Sequence, residues 1–505
     1  DVHGATANRT TDLVFLQLRL LPERQLSRWS PTRPPPAPRR ESAPRARVSP
    51  SMSEVSEFGL IVLVVAGALS LAIALSKLTE RFPVPGPAFF LLLAAIASDI
   101  FPGLSAVSIQ TVERIGVVAL IVILCDGGMH VGWRRFRASA VPIASLGTLG
   151  TFATASVIAL FAHVFLGFGW TEAGIVGAAL APTDPAVMFS VLGKREVGGR
   201  SGTILEGESG ANDPVGIALM IGMLELATHP DASFVIVIEE FLVEMAIGLM
   251  VGVAGAFVLL PLMRRLTLPS EALPPIRTLA FAGVIYGAAA VAHGSGFLAV
   301  FVAGLLIGDE RAPYKGEIER FHMSLASLAE IAVFTVLGLT VDITDLGRES
   351  IWLDGLLLAL ILAFVARPVV VGLLLLPTRL HRGEKLFVMW GGLKGAVPIL
   401  LGTFALLEGV DEAERIYGIV FVVVAFSVIV QGTSIPFVAP RLEVPMRVAE
   451  PRGIQRCTVH PGSRAAGARL SATYPWASEP GSTPSFGREG RSPSTAISSS
   501  GKETR

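Results

Sequence analysis

Apolar stretches of about 20 residues, divided by short polar and charged segments, recur through most of this chain, and a helix of that length crosses the hydrocarbon core of a bilayer. Thirteen stand out, at 58–78, 84–101, 112–131, 138–166, 172–192, 203–227, 234–263, 275–293, 295–308, 322–342, 351–376, 385–407 and 414–439. The pattern predicts an all-α polytopic membrane protein of about 13 transmembrane helices. Both ends break it. Residues 1–51 are rich in Pro and Arg, as at Pro34, Pro35, Pro36, Pro38 and Arg39, and lack the apolar content to fold. Residues 448–505 turn to Ser, Gly, Pro and Arg and read as a disordered tail. The transmembrane domain is therefore expected over 52–447, with Met52 as the natural start and 1–51 as a mis-assigned extension.

Composition agrees with the pattern: 51% of the 505 residues are hydrophobic and 16% charged, against about 25% charged in a soluble domain. The net charge is zero, so no basic surplus suggests a nucleic-acid partner, and the partner implied is the lipid bilayer. Cys125, in an apolar span, and Cys457, in the tail, have no metal-ligand spacing. Loop charge then orients the chain. Alternate loops and their flanks hold nineteen Lys and Arg, among them Arg134, Arg135, Arg137, Arg264, Arg265, Arg379 and Arg382, whereas the opposite loops hold Arg114, Arg348 and Arg415 only. Basic residues collect on the cytoplasmic side, which places the C-terminus in the cytoplasm and the N-terminus outside. Thirteen spans also divide into two six-helix repeats of inverted topology, with the seventh as connector. The fifth span of each half is interrupted, by Ala181-Pro182-Thr183-Asp184-Pro185 and by Gly391-Gly392-Leu393-Lys394-Gly395. Broken helices in corresponding positions point to a binding site near the bilayer midplane.

The sixth span carries Gly207-Glu208-Ser209-Gly210-Ala211-Asn212-Asp213-Pro214. Ionisable residues inside a membrane are costly and mark function. Ser209 and Asp213 are four apart, as are Glu208 and Asn212, so each pair shares a helix face. Asp213, a turn or more inside the span, can hold either a proton or a cation; the bland alternative is a capping cluster, since Ser, Asn and Asp all cap helices. Around Asp184 the two prolines break the helix and free backbone carbonyls, which join the Thr183 hydroxyl and the carboxylate in an oxygen-rich shell suited to an alkali cation; a plain proline kink is the alternative. Lys394 either neutralises the carbonyl end of a half-helix or snorkels to the cytoplasmic edge. Arg367, deep in the eleventh span, needs a partner, and Glu208 is the best-placed acid because Glu206 lies nearer the end of its span. Asp126 lines an aqueous funnel or pairs at the interface with Arg134. His163 reads as a packing residue, Glu330 faces either a cavity or a neighbouring helix, and Gly294-Ser295-Gly296 lacks the context of a phosphate loop.

Thr183-Asp184-Pro185, Gly207 to Pro214, Arg367 and Gly392-Leu393-Lys394-Gly395-Ala396, in that order, resemble the monovalent cation:proton antiporters of the NhaP and sodium/proton exchanger branch. The likeness covers about residues 58–440, and Asp126-Gly127-Gly128-Met129 with Gly395-Ala396-Val397-Pro398 most resembles the bacterial potassium/proton, cell-volume-regulation type. This resemblance implies a homodimer of 13-helix protomers in the cell membrane, an elevator-like cycle, and no cofactor beyond the transported H+ and Na+ or K+. It implies that Asp213 exchanges proton for cation, with Asp184, Thr183 and Ser209 in the coordination shell, that Asn212 accompanies electroneutral exchange, and that Glu208 and Arg367 form an ion pair. Lys394 stands where this branch often has arginine, and 448–505 lacks the strand and helix pattern of a potassium-type regulatory domain. Two other classes compete: a channel-like or sensory membrane protein, and an intramembrane aspartyl protease using Asp184 and Asp213, although the Tyr-Asp and Gly-x-Gly-Asp settings of that protease family are missing.

Overall fold

The computed structural model describes residues 85–448, apart from 102–106, 185, 193–194, 230 and 267, together with the single positions Gly67 and Ser70. The first expected span, 58–78, and both chain ends lie outside the described residues, apart from those two positions and Val448. Each remaining expected span falls on a helix or a pair of helices. In chain order these are α1 (Gly86–Ile100), α2 (Ile109–Val131), the short α3 (Trp133–Ala138), α4 (Ala140–Leu166), α5 (Trp170–Leu180), α6 (Ala186–Leu192), α7 (Gly199–Thr228), α8 (Phe234–Arg265), α9 (Leu273–Val291), α10 (Gly296–Gly308), α11 (Lys315–Leu339), α12 (Ile351–Leu374), α13 (Arg382–Gly391), α14 (Ala396–Glu408) and α15 (Ala413–Arg441). Eight of the described helices are long and apolar enough to cross a membrane, and α1 and α10 are shorter apolar helices.

Local chemistry sets the boundaries. Ser108, Ser233 and Ser295 accept hydrogen bonds from backbone N–H groups in the first turns of α2, α8 and α10, satisfying donors that a helix start leaves open. Gly167 ends α4 at φ 76°, a left-handed conformation that glycine adopts without strain. Two expected spans are split. Residues 172–192 become α5 and α6, because Pro182 cannot donate to a helix ladder and Pro185 disfavours helical geometry at the residue before it. Residues 385–407 become α13 and α14, divided at Gly392–Gly395. α11 begins at Lys315, about two turns before the expected 322, since its first turns are polar.

A two-stranded ribbon interrupts the helical design. β1 (Arg195–Val197) pairs antiparallel with β2 (Met446–Val448), Val197 opposite Met446, so the chain just after α6 is stitched to the chain just after α15. α4, α12 and α15 each contain a π-helical turn, at Leu146–Gly150, Leu362–Ala366 and Ser427–Gly432. Such turns mark functional segments of helices, and those in α4 and α12 occupy matching positions in the two expected repeats.

Burial separates inside from outside. α7 is enclosed nearly all round, from Ser201 to Gly210 and from Asn212 to Met220. α8 instead exposes Leu242, Leu249, Met250, Phe257 and Val258, an apolar face of the kind that meets lipid.

Candidate functional site

The two helix breaks lie against each other. The Asp184 N–H donates to the Leu393 carbonyl at 2.8 Å. Lys394, 1% exposed, donates from Nζ to the carbonyls of Ala181 and Pro182, each at 2.9 Å, and so holds the carbonyl end left where α5 stops. It does not reach the solvent edge. Its own N–H donates to Ser427 Oγ at 2.9 Å, and that hydroxyl bonds Gln431 Oε1 at 2.8 Å, which ties the break to the π turn of α15.

α13 ends the same way. Arg367, which opens the regular helix after the π turn of α12, donates from Nε to Met389 O at 3.1 Å and from Nη2 to Val388 O at 3.2 Å. The same guanidinium grips Glu208 on both oxygens, Nη1 to Oε1 at 2.9 Å and Nη2 to Oε2 at 3.2 Å, with both residues buried. One cation thus serves the carbonyl end of each broken helix. Two glycines permit the approach: a Cβ at Gly392 would fall within the Arg367 guanidinium, and one at Gly395 would overlap the Asp184 carboxylate.

α7 presents two faces. At 100° per residue, Glu208 and Asn212 point one way while Glu206, Ser209, Gly210 and Asp213 point the other. On the first face Asn212 Nδ2 donates to Thr183 Oγ1 at 2.7 Å, and the Thr183 N–H donates back to Asn212 Oδ1 at 3.3 Å. The second face lines a cavity of about 490 Å³. Asp213, Asp184, Ser209 and Asp126 all border it. Asp213 is 4% exposed, and its Oδ1 is buried with no hydrogen-bond partner among the described residues. Asp184 and Lys394 both lie within its electrostatic reach.

Two further carboxylates line the cavity. Glu206, passed over only as the partner of Arg367, lies 3.7 Å from His130 Nε2 and 3.9 Å from Arg135 Nη1; its spacing of three, four and seven from Ser209, Gly210 and Asp213 is the signal that it shares their face. Glu330 of α11 faces the cavity rather than a neighbouring helix. His163 packs, its ring stacked on Trp170 at 4.0 Å and its Nδ1 2.7 Å from Phe168 O. No group of three or more His, Cys, Asp or Glu able to hold a metal ion occurs among the described residues.

The profile of the family described as "Sodium/hydrogen exchanger, transmembrane" matches residues 65–440. The chain belongs to that family. This exchanger is 37% identical over 396 residues to the K(+)/H(+) antiporter NhaP of Alkalimonas amylolytica, covering 76% of this chain and 68% of the relative. It is 33% identical over 389 residues to the K(+)/H(+) antiporter NhaP2 of Shewanella sp. (strain ANA-3), covering 75% and 67%. Its fold matches the sodium proton antiporter MjNhaP1 from Methanocaldococcus jannaschii at pH 8, with a TM-score of 0.64 and 23% identity over 74% of this chain and 99% of that one. The exchanger is thus a cation/proton antiporter, a secondary transporter and not an enzyme.

Proposed function

We propose that the exchanger moves one monovalent cation, K+ or Na+, against one proton, with Asp213 holding each in turn. The observation that carries this reading is Asp213 itself, which borders the cavity and whose buried Oδ1 has no hydrogen-bond partner among the described residues. An unsatisfied buried oxygen costs about 1–3 kcal/mol, and either a proton or a cation relieves that cost. Asp184, Thr183 and Ser209 supply further oxygens to the cation, while Asn212 keeps Thr183 in place through its two hydrogen bonds. The amide of Asn212 has no acidic proton, so Asp213 alone changes state and the loaded site bears the same charge with either ion. Glu208, Arg367 and Lys394 stay paired and hold the break.

The cavity is lined by α2, α6 and α7 from the first half of the chain and by α10, α11 and α14 from the second, which supports alternating access by sliding one set of helices past another. The exchanger resides in the cell membrane as a homodimer with its C-terminus in the cytoplasm, needs no cofactor, and serves cation, pH and volume homeostasis. Residues 52–447 form the transport domain, flanked by 1–51 and 448–505. The names of the relatives at 37% and 33% identity favour K+.

Purified protein in proteoliposomes with a trapped pH dye tests this. Adding K+, Na+ or Li+ outside an acid-loaded lumen is expected to raise the lumenal pH, K+ most effectively, without generating a membrane potential. Absence of a response to every alkali ion contradicts the exchange reading, and a potential that follows transport contradicts the one-for-one count.

A further inference from the structure

α11 turns one face to the cavity, made of Met323, Ala326, Ser327, Glu330, Val333 and Phe334, spaced as one stripe of a helix. Glu330 is the one charged residue of that stripe. Its Oε1 is buried and has no hydrogen-bond partner among the described residues, and the other members of the stripe offer neither a cation nor, near its middle, more than the Ser327 hydroxyl. A carboxyl group on an apolar wall inside a membrane is costly unless it serves a substrate or a pathway. Asp126 and His130 from α2, Asp184 from the first break, and Glu206 and Asp213 from α7 line the same cavity. Asp184 lies within the electrostatic reach of Glu330. His130 is the single basic side chain lining this cavity, and it lies 3.7 Å from Glu206. Glu330 is therefore a carboxyl group lining the same cavity as Asp213 and Asp184, its buried Oε1 without a hydrogen-bond partner among the described residues.

We propose that Glu330 is a ligand of the transported cation, adding an oxygen from α11 to those of Asp213 and Asp184, and that it sets cation affinity and ion ranking. This extends the exchange reading above and rests on it. Alkali-cation sites select by the number and spacing of oxygens that replace water. A ligand on each helix makes that spacing depend on the gap between α11 and α7.

The test measures the initial rate of cation-driven proton movement in proteoliposomes against cation concentration, for K+, Na+ and Li+, in the wild type, Glu330→Ala, Glu330→Gln and Glu330→Asp. Loss of one ligand is expected to raise the cation KM about tenfold in Glu330→Ala, with Vmax nearly retained and the order of the three ions altered. Glu330→Gln keeps the side-chain volume and one oxygen, so it is expected to show a smaller rise, and Glu330→Asp to recover most of the affinity. A role confined to packing predicts reduced protein yield and Vmax in Glu330→Ala with KM unchanged, and no rescue by Asp. Wild-type KM and ion order in Glu330→Ala, or in Glu330→Gln if the alanine variant does not reach the membrane, overturns the proposal. That outcome is distinct from failure of the exchange reading, in which the wild type itself moves no protons in response to any of the three cations.

Discussion

Asp213 and Glu208 are five residues apart on one helix yet meet opposite surroundings. Glu208 is locked on both oxygens by Arg367, whereas Asp213 keeps one oxygen without a partner among the described residues. The first is held and the second is available, which fits a fixed pair beside an exchanging group. Removing one partner of a buried pair leaves the other charge uncompensated, at about 3–5 kcal/mol. Arg367→Met is therefore expected to lower thermal stability in detergent sharply, and Arg367→Met with Glu208→Gln to restore much of it; equal melting temperatures for the single and double variants would contradict the coupling. Gly392→Ala forces a Cβ into the guanidinium, and overpacking of this kind costs about 1–3 kcal/mol. A scanning-fluorimetry midpoint unchanged from wild type would show that Arg367 has room to move. Much at this scale was legible from spacing alone. Intervals of four separated Ser209 and Asp213 from Glu208 and Asn212, and an intramembrane arginine demanded an acid. Glu206 was rightly passed over as the partner of Arg367, but its place on the cavity was not read from the sequence. Glu330 stayed undecided, since one sequence does not say which neighbour an α11 stripe meets.

The broken helices show what elements contribute. α5 and α13 both stop inside the protein, where water does not satisfy their last carbonyls, and Lys394 and Arg367 take that place. The prolines and glycines announced both breaks, but that Lys394 of the second break reaches the carbonyl end at the first, while Arg367 of α12 serves the end at the second, is a tertiary fact. Lys394→Met leaves the carbonyls of Ala181 and Pro182 without their donor. It is expected to destabilise the fold by several kcal/mol, while Lys394→Arg, which keeps the charge, retains more of the melting temperature. Similar losses in the two variants would argue that shape rather than charge matters there. The ribbon of β1 and β2 escaped the sequence reading because three-residue strands carry too little alternation to register. The π turns escaped it too, as nothing in Leu146–Gly150, Leu362–Ala366 or Ser427–Gly432 distinguishes a π turn from a helical one by composition.

At the scale of the molecule, hydrophobic periodicity located the helices because lipid imposes it, and the loop charges propose an orientation for them. That orientation is directly checkable. Arg379→Cys, in a basic loop, is expected to react with a membrane-impermeant maleimide only from the cytoplasmic side, and Asp411→Cys, in a sparse loop, only from outside; the reverse pattern would invert the topology. The cavity was beyond the sequence, since it depends on how far α2 and α11 stand from α7, yet it is what joins residues from distant spans into one site. The most direct measurement of the central claim compares wild-type protein with Asp213→Asn in proteoliposomes, with equal insertion verified and cation-driven proton movement followed over a range of pH. The account predicts that the asparagine variant folds to the same melting profile but moves no protons in response to K+, Na+ or Li+ at any pH. Exchange by Asp213→Asn at the wild-type rate would contradict it.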